Sequence, residues 1–196
     1  LVVLLRDAEP EQAAALVAEM EPDEAADALR DLDEQTRAEL LAAMPDDIAG
    51  VLTDLLDYDE KTAGGAMTTN ILLLEGEASV AEARRRLRDR EDVRDIDGVL
   101  VVDSDGCLVD DVHMIELFTA EPDQRLRDLT RPPWPVTVTA AEPLEHVIEA
   151  FVENRGSSVV VIDSAGRPVG RILADDVVDA LLPPERERRR FAGILS

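Results

Sequence analysis

Between residues 70 and 184 the sequence states one pattern twice, and a chain that repeats itself in this way folds as two like modules. Asp103, Ser104, Gly106 and Val109 return as Asp163, Ser164, Gly166 and Val169 after 60 positions. Leu74 and Val80 return as Val138 and Leu144 after 64 positions, so the first copy holds four more residues, around Arg88 to Asp97. Apolar periodicity predicts the same order in each copy. A strand (Ile71 to Leu74; Val136 to Thr139) is followed by a helix (Val80 to Leu87; Leu144 to Asn154), a second strand (Val99 to Val102; Val159 to Ile162), a turn, a strand and a helix. Gly106 and Gly166 stand where a hairpin turn requires positive φ. Asp175 to Leu181 is expected to form the last helix, stopped by Pro183 and Pro184.

The chain up to Asp57 follows a different rule. Apolar residues fall at helical spacing in four bursts: Ala13, Leu16, Val17 and Met20; Ala25, Ala28, Leu29 and Leu32; Leu40, Leu41 and Met44; Ile48, Val51, Leu52 and Leu55. Pro10, Pro22 and Pro45 suit first turns and are followed by acids that complement a helix N-terminus, while Asp33 with Thr36 marks the remaining start. Pro22, Asp23, Glu24, Ala26 and Leu29 recur 23 positions later as Pro45, Asp46, Asp47, Ala49 and Leu52. This is the mark of stacked helices that bury their apolar faces on one another.

Between the halves lies Tyr58 to Thr69, YDEKTAGGAMTT, read as a helix end feeding an extended segment, with Gly64 and Gly65 expected to take positive φ. The expected organisation is therefore an α plus α/β chain. Residues 1–57 form an acidic all-helical domain, 58–69 the joint, 70–130 and 131–184 the two copies, and 185–196 a polar tail or connecting helix.

The charge balance narrows the function. Twenty Lys and Arg stand against 44 Asp and Glu, a formal net charge of −24. Such a surface repels nucleic acid and anionic lipid while favouring cations or basic surfaces. The apolar runs are of strand length, well short of the ~20 residues that span a bilayer, so the chain is not expected to insert in a membrane itself. One cysteine, Cys107, excludes an internal disulfide, and a cytoplasmic setting is favoured. Leu1 to Leu5, apolar and without an initiator methionine, are expected to lie inside an element of a longer chain. No nucleophile constellation surrounds His113 or His146, so catalysis is not expected. Trp134, between prolines, is read as a packing anchor at the entry to the second copy.

The paired "VVDSDGCLV" and "VIDSAGRPVG", the latter followed by "ADDVVDALL", resemble a tandem of cystathionine-beta-synthase (CBS) domains. Preceded by "LLDYDEKTAGGAMT" and acidic repeat helices, the pair resembles the cytoplasmic region of the MgtE magnesium transporter family. The resemblance implies a pseudo-symmetric CBS pair around a cleft, a homodimer through the CBS domains, and a transmembrane pore domain farther along a transporter chain. It also implies Mg²⁺ as the bound ion, with Glu145, Asp176 and Asp179 at positions of acidic cation contacts and Asp23, Glu24 and Asp27 in the facing helical domain. A further acidic position of the family reads Arg155 here. Mg²⁺ takes oxygen ligands and asks for few carboxylates per ion, which suits acids scattered over two surfaces. The implied function is magnesium sensing, the helical domain closing on the pair when Mg²⁺ binds.

The alternative is a soluble CBS regulatory or interaction protein without a pore, of which one form would bind an adenosine nucleotide. In CBS clefts generally a Thr or Ser at a strand end and an Asp three residues later hold the ribose. Those places read Leu173 and Asp176 in the second copy and His113 and Glu116 in the first, so Asp176 alone conforms, and Asp110 replaces the glycine equivalent to Gly170. Hydrophobic spans beyond Ser196 would separate the two readings; Glu185 to Arg190 fits either a basic membrane flank or a solvated tail.

Overall fold

The computed structural model describes residues 4–5, 8–90, 96–154, 158–174 and 177, without the side chains of 153 and 154. Four helices come first: α1 (Pro10–Ala18), α2 (Pro22–Arg30), α3 (Glu34–Ala43) and α4 (Asp46–Leu56). Pro10 and Pro22 occupy first-turn positions, where the missing N–H costs nothing. Pro45 sits one step earlier, as the N-cap of α4. Asp33 caps α3, its carboxylate accepting from the Thr36 N–H at 3.0 Å and from the Thr36 hydroxyl at 2.8 Å. A cap of this kind is worth about 1 kcal/mol. The helices pack alternately, α1 on α3 and α2 on α4, so the echo along the sequence is a two-helix unit stacked on itself. Their buried faces are small: Ala13, Ala14 and Val17 on α1, and Ala25, Ala26, Ala28 and Leu29 on α2. Small side chains let axes approach closely.

The repeated half forms two separate three-stranded sheets. The first holds β1 (Leu73–Glu75), β2 (Gly98–Val102) and β3 (Leu108–His113), with α5 (Val80–Arg88) between β1 and β2 and α6 (Met114–Thr119) after β3. The second holds β4 (Thr137–Thr139), β5 (Ser158–Ile162) and β6 (Pro168–Leu173), with α7 (Leu144–Asn154) between β4 and β5. In each sheet the outer pairing is parallel and the hairpin antiparallel. Both hairpins carry an irregularity at the same place, between Val101 and Val102 and between Val161 and Ile162. The turn glycines take φ of 81° at Gly106 and 82° at Gly166. Residues with a Cβ rarely adopt that region. The central strands read as continuous apolar runs because both their faces are covered: Val99, Leu100 and Val101 in one, Val159, Val160 and Val161 in the other, all buried.

Like residues of the two copies meet one another, as a two-fold relation between modules requires. The Leu108 N–H donates to the Gly166 carbonyl, Arg167 Nε to the Asp105 carbonyl, and the Cys107 thiol to the Ala165 carbonyl. Asp111 of β3 and Arg171 of β6, equivalent positions of the repeat, form an ion pair at 2.8 Å.

The joint departs from expectation. Helix α4 ends at Leu56 with Asp57 as its C-cap, and neither Gly64 nor Gly65 is in the left-handed region. Both are glycine because of crowding. A Cβ on Gly65 would lie 2.3 Å from the Asp59 carbonyl oxygen, and one on Gly64 2.5 Å from the Tyr58 ring and 3.0 Å from the Ala140 oxygen. The segment is strapped to the second module: Ala63 N–H donates to Glu142 O, Gly64 N–H to Ala140 O, and Leu144 N–H to Lys61 O. Ala63 and Met67 link the core of the helical domain to that of the second module in one apolar cluster, while the first module has a core of its own. The last predicted helix, Arg155 and the tail lie outside the described residues, Val177 apart.

Candidate functional site

Two regions gather chemistry. The first is the start of α2, where Asp23, Glu24 and Asp27 share the opening turns. Asp23 is half-buried, and burial, helped by the charges of Glu24 and Asp27, pushes its carboxyl up to about 6 against the pull of backbone N–H groups. Glu24 and Asp27 are exposed. Asp27 pairs with Arg30 at 2.7 Å. That guanidinium is mostly buried and also donates to the carbonyls of Leu55 at 2.7 Å and Tyr58 at 3.3 Å, tying α2 to the end of α4 and the joint. Glu145 is exposed in the first turn of α7. Asp176 and Asp179 lie outside the described residues. Among the described residues no three His, Cys, Asp or Glu stand close enough together to hold one metal ion.

The second region is a cavity of about 460 Å³ beside the first module, walled by β3, the start of α6 and the segment between the modules. Its polar lining includes Asp110, Asp111, Glu116, Arg131 and Ser158. Glu116 accepts from the His113 N–H at 3.2 Å and from Arg131 at 3.0 Å. Asp111 is held by Arg171, whose guanidinium also donates to the Ser158 hydroxyl at 2.8 Å and lies 3.9 Å from Asp97. Arg171 is only 2% exposed, so this pair is a desolvated bond between the two modules. Asp110 is 6% exposed; its carboxylate accepts from the backbone N–H of Asp111 and of Arg131, each at 2.9 Å. Burial raises its pKa, with Glu116 and Asp111 adding to the rise.

Trp134 corrects an expectation. It is 56% exposed and forms part of the cavity wall instead of anchoring the core. Gly170 serves the packing of the chain itself. Strand register makes it the counterpart of Asp110, since Asp110 pairs with Val101 and Gly170 with Val161. The backbone it admits belongs to the chain itself: a Cβ there would lie 2.6 Å from Met67 Sδ and 2.8 Å from the Thr68 oxygen. Thr68 and Arg171 exchange backbone hydrogen bonds at 2.8 and 2.9 Å. Sequence reasoning passed over Arg171 and Arg30, whose only signal was a basic residue at a position of buried polarity in so acidic a chain.

A helical repeat domain joined to two modules that share a βαββ order beside a polar cleft defines a CBS-pair architecture. Residues 63–123 and 126–183 match the CBS domain, residues 2–61 match the MgtE intracellular N domain, and the chain belongs to the CBS-domain family in the arrangement that characterises the cytosolic part of MgtE transporters. It is 31% identical over 151 residues to the magnesium transporter MgtE of Thermus thermophilus, and 28% identical over 134 residues to that of Enterococcus faecalis. Those matches take in 76% and 68% of this chain, but the chain spans only 31% and 29% of those relatives. Among solved structures it is similar to the soluble part of a magnesium transporter, with a TM-score of 0.84 at 28% identity over 90% of this chain and 69% of that one. It is also similar to the cytosolic domain of the Mg²⁺ channel MgtE in complex with ATP, with a TM-score of 0.76 at 27% identity over 92% and 79% of the two chains. No helix among the described residues is long and apolar enough to cross a membrane.

Proposed function

We propose that this chain is the cytosolic magnesium-sensing region of an MgtE-type magnesium transporter, with a transmembrane pore domain as its partner, and that Mg²⁺ draws the acidic helical domain onto the second CBS domain. The observation that carries this reading is the gathering of Asp23, Glu24 and Asp27 in the opening turns of α2, where burial and the neighbouring carboxylates raise the Asp23 carboxyl to about 6. The folded surroundings disfavour its ionised form by up to roughly 3 kcal/mol relative to a free carboxyl. A divalent cation offsets that cost, because its charge favours the ionised form of every carboxylate within reach. Mg²⁺ keeps several waters, so it bridges carboxylates that do not touch one another. Asp23, Glu24 and Asp27 on the helical side and Glu145, Asp176 and Asp179 on the second CBS domain are the contacts we assign to it. Arg30 holds Asp27 in the absence of an ion and releases it to Mg²⁺ at small cost, since Asp27 is exposed.

The chain works as a homodimer through its CBS domains. Met114, Ile115 and Phe118 of the short helix α6 support this, because Ile115 is 66% exposed and Phe118 79% exposed. They leave an apolar face for a second copy. The soluble interaction protein remains the competing account. Its nucleotide-binding form draws support from the ATP complex of a relative, but not from a cavity that carries Asp110, Asp111 and Glu116.

Limited proteolysis at Lys61 tests the reading. Lys61 is exposed in the joint that runs from the helical domain to the second module, so cleavage there reports how firmly the joint is held. Mg²⁺ should protect the parent chain, and should protect the Asp27→Asn, Glu145→Gln, Asp179→Asn variant less. Equal cleavage with Mg²⁺, with NaCl at matched ionic strength and in the variant would leave the soluble interaction module as the better account.

A further inference from the structure

The cavity beside the first module presents a charge pattern that magnesium sensing does not use. Three carboxylates face it, and two of them have a fixed counter-charge: Glu116 is paired with Arg131 at 3.0 Å and Asp111 with Arg171 at 2.8 Å. Asp110, the most buried of the three, has none. Its hydrogen bonds come from two backbone N–H groups, one to each oxygen, and no guanidinium, ammonium or imidazole pairs with it among the described residues. Each oxygen keeps a free lone pair. A buried carboxylate with no counter-ion is costly unless a cation reaches it.

The rest of the lining says what kind of cation. Two of the three carboxylates are already taken by Arg131 and Arg171, so a divalent ion finds a single free one in a largely apolar wall. Most of the wall is apolar, with Leu129, Ile115, Val136 and Val160 beside a run of prolines, and Trp134 stands at it half-exposed. An aromatic ring and a desolvated carboxylate lining one cavity form the combination that recognises organic ammonium ions. The second module offers no equal site, because glycine replaces the carboxylate there and Met67 and Thr68 pack against it. We propose that this cavity is a binding site for an organic ammonium ion with a flat apolar body, its nitrogen held by Asp110 and its body lying against Trp134 and the apolar wall. The same charge pattern disfavours polyphosphates, so this site departs from the ATP complex of the relative.

Trp134 is the single tryptophan of the chain and therefore reports on the cavity directly. The test is a fluorescence titration of the full 196-residue chain, repeated by calorimetry, with phenethylammonium, its uncharged analogue 2-phenylethanol, ATP and MgCl₂. Saturable binding of phenethylammonium, roughly tenfold or more tighter than that of the alcohol and weakened about as much by Asp110→Asn, is the expected result. ATP and Mg²⁺ should neither mimic it nor compete. The proposal is overturned if ammonium and alcohol behave alike, if no saturable change occurs, if Asp110→Asn binds equally well, or if ATP or Mg²⁺ takes the same site. The ammonium and alcohol arms both use the parent chain, so they decide the matter even where the Asn variant fails to fold.

Discussion

The two CBS modules share one frame, and among the register positions where they differ Asp110 against Gly170 decides whether the chain packs into the cleft or leaves it open. At Gly170 the absent side chain admits Met67 and Thr68, and the chain fills its own cleft while fastening the joint. At Asp110 the carboxylate captures the Arg131 N–H instead, and the segment between the modules leaves a cavity. Duplication supplies two equivalent places, and a single difference fills one of them with the chain itself and leaves a cavity beside the other. Arg171 against Asp111 shows the same divergence turned into a bond, since equivalent positions of opposite charge hold the modules together.

That contrast can be broken hardest at Arg171. Arg171→Met strands Asp111 in a desolvated position and should cost about 3–5 kcal/mol in urea unfolding, by the usual penalty of halving a buried pair. Adding Asp111→Leu should recover a good part of the loss. Next comes Gly170→Ala, whose new methyl group meets Met67 Sδ and the Thr68 carbonyl. Overpacking of this kind costs about 1–3 kcal/mol, read as a lower melting temperature, and Asp110→Gly, which makes the modules alike, should cost less than about 1 kcal/mol.

A pH dependence is expected as well. Because the carboxyl of Asp23 is raised in the folded chain, from 3.8 to about 6, the folded state binds more protons than the unfolded one between those values. Stability should therefore fall as pH rises through that window and level off above it, by about 1–2 kcal/mol after solvent screening is allowed for. Asp110, raised by burial as well, adds in the same direction. Asp23→Asn should flatten much of the slope in denaturation curves taken at several pH values.

Periodicity made much of this architecture legible, because helix and strand patterns are local. The four helices, both hairpins and the turn glycines sit where spacing placed them, and the Asp33 cap was visible from Thr36. What was not legible depended on contacts between distant segments. Gly64 and Gly65 looked like torsional glycines but are contact glycines, since nothing in the string YDEKTAGGAMTT shows that Ala140 and Asp59 press on it. Trp134 looked like an anchor, because its proline neighbours do not reveal that a cavity opens in front of it. Arg171 could not be paired with Asp111 before the modules were set face to face.

Closure by magnesium is the centre of the account, and small-angle scattering tests it most directly. The radius of gyration of the chain should fall on addition of MgCl₂ and stay near its starting value in NaCl of equal ionic strength, because screening weakens repulsion without bridging the two surfaces. A radius that responds to the two salts alike, or to neither, would contradict magnesium-driven docking of the helical domain.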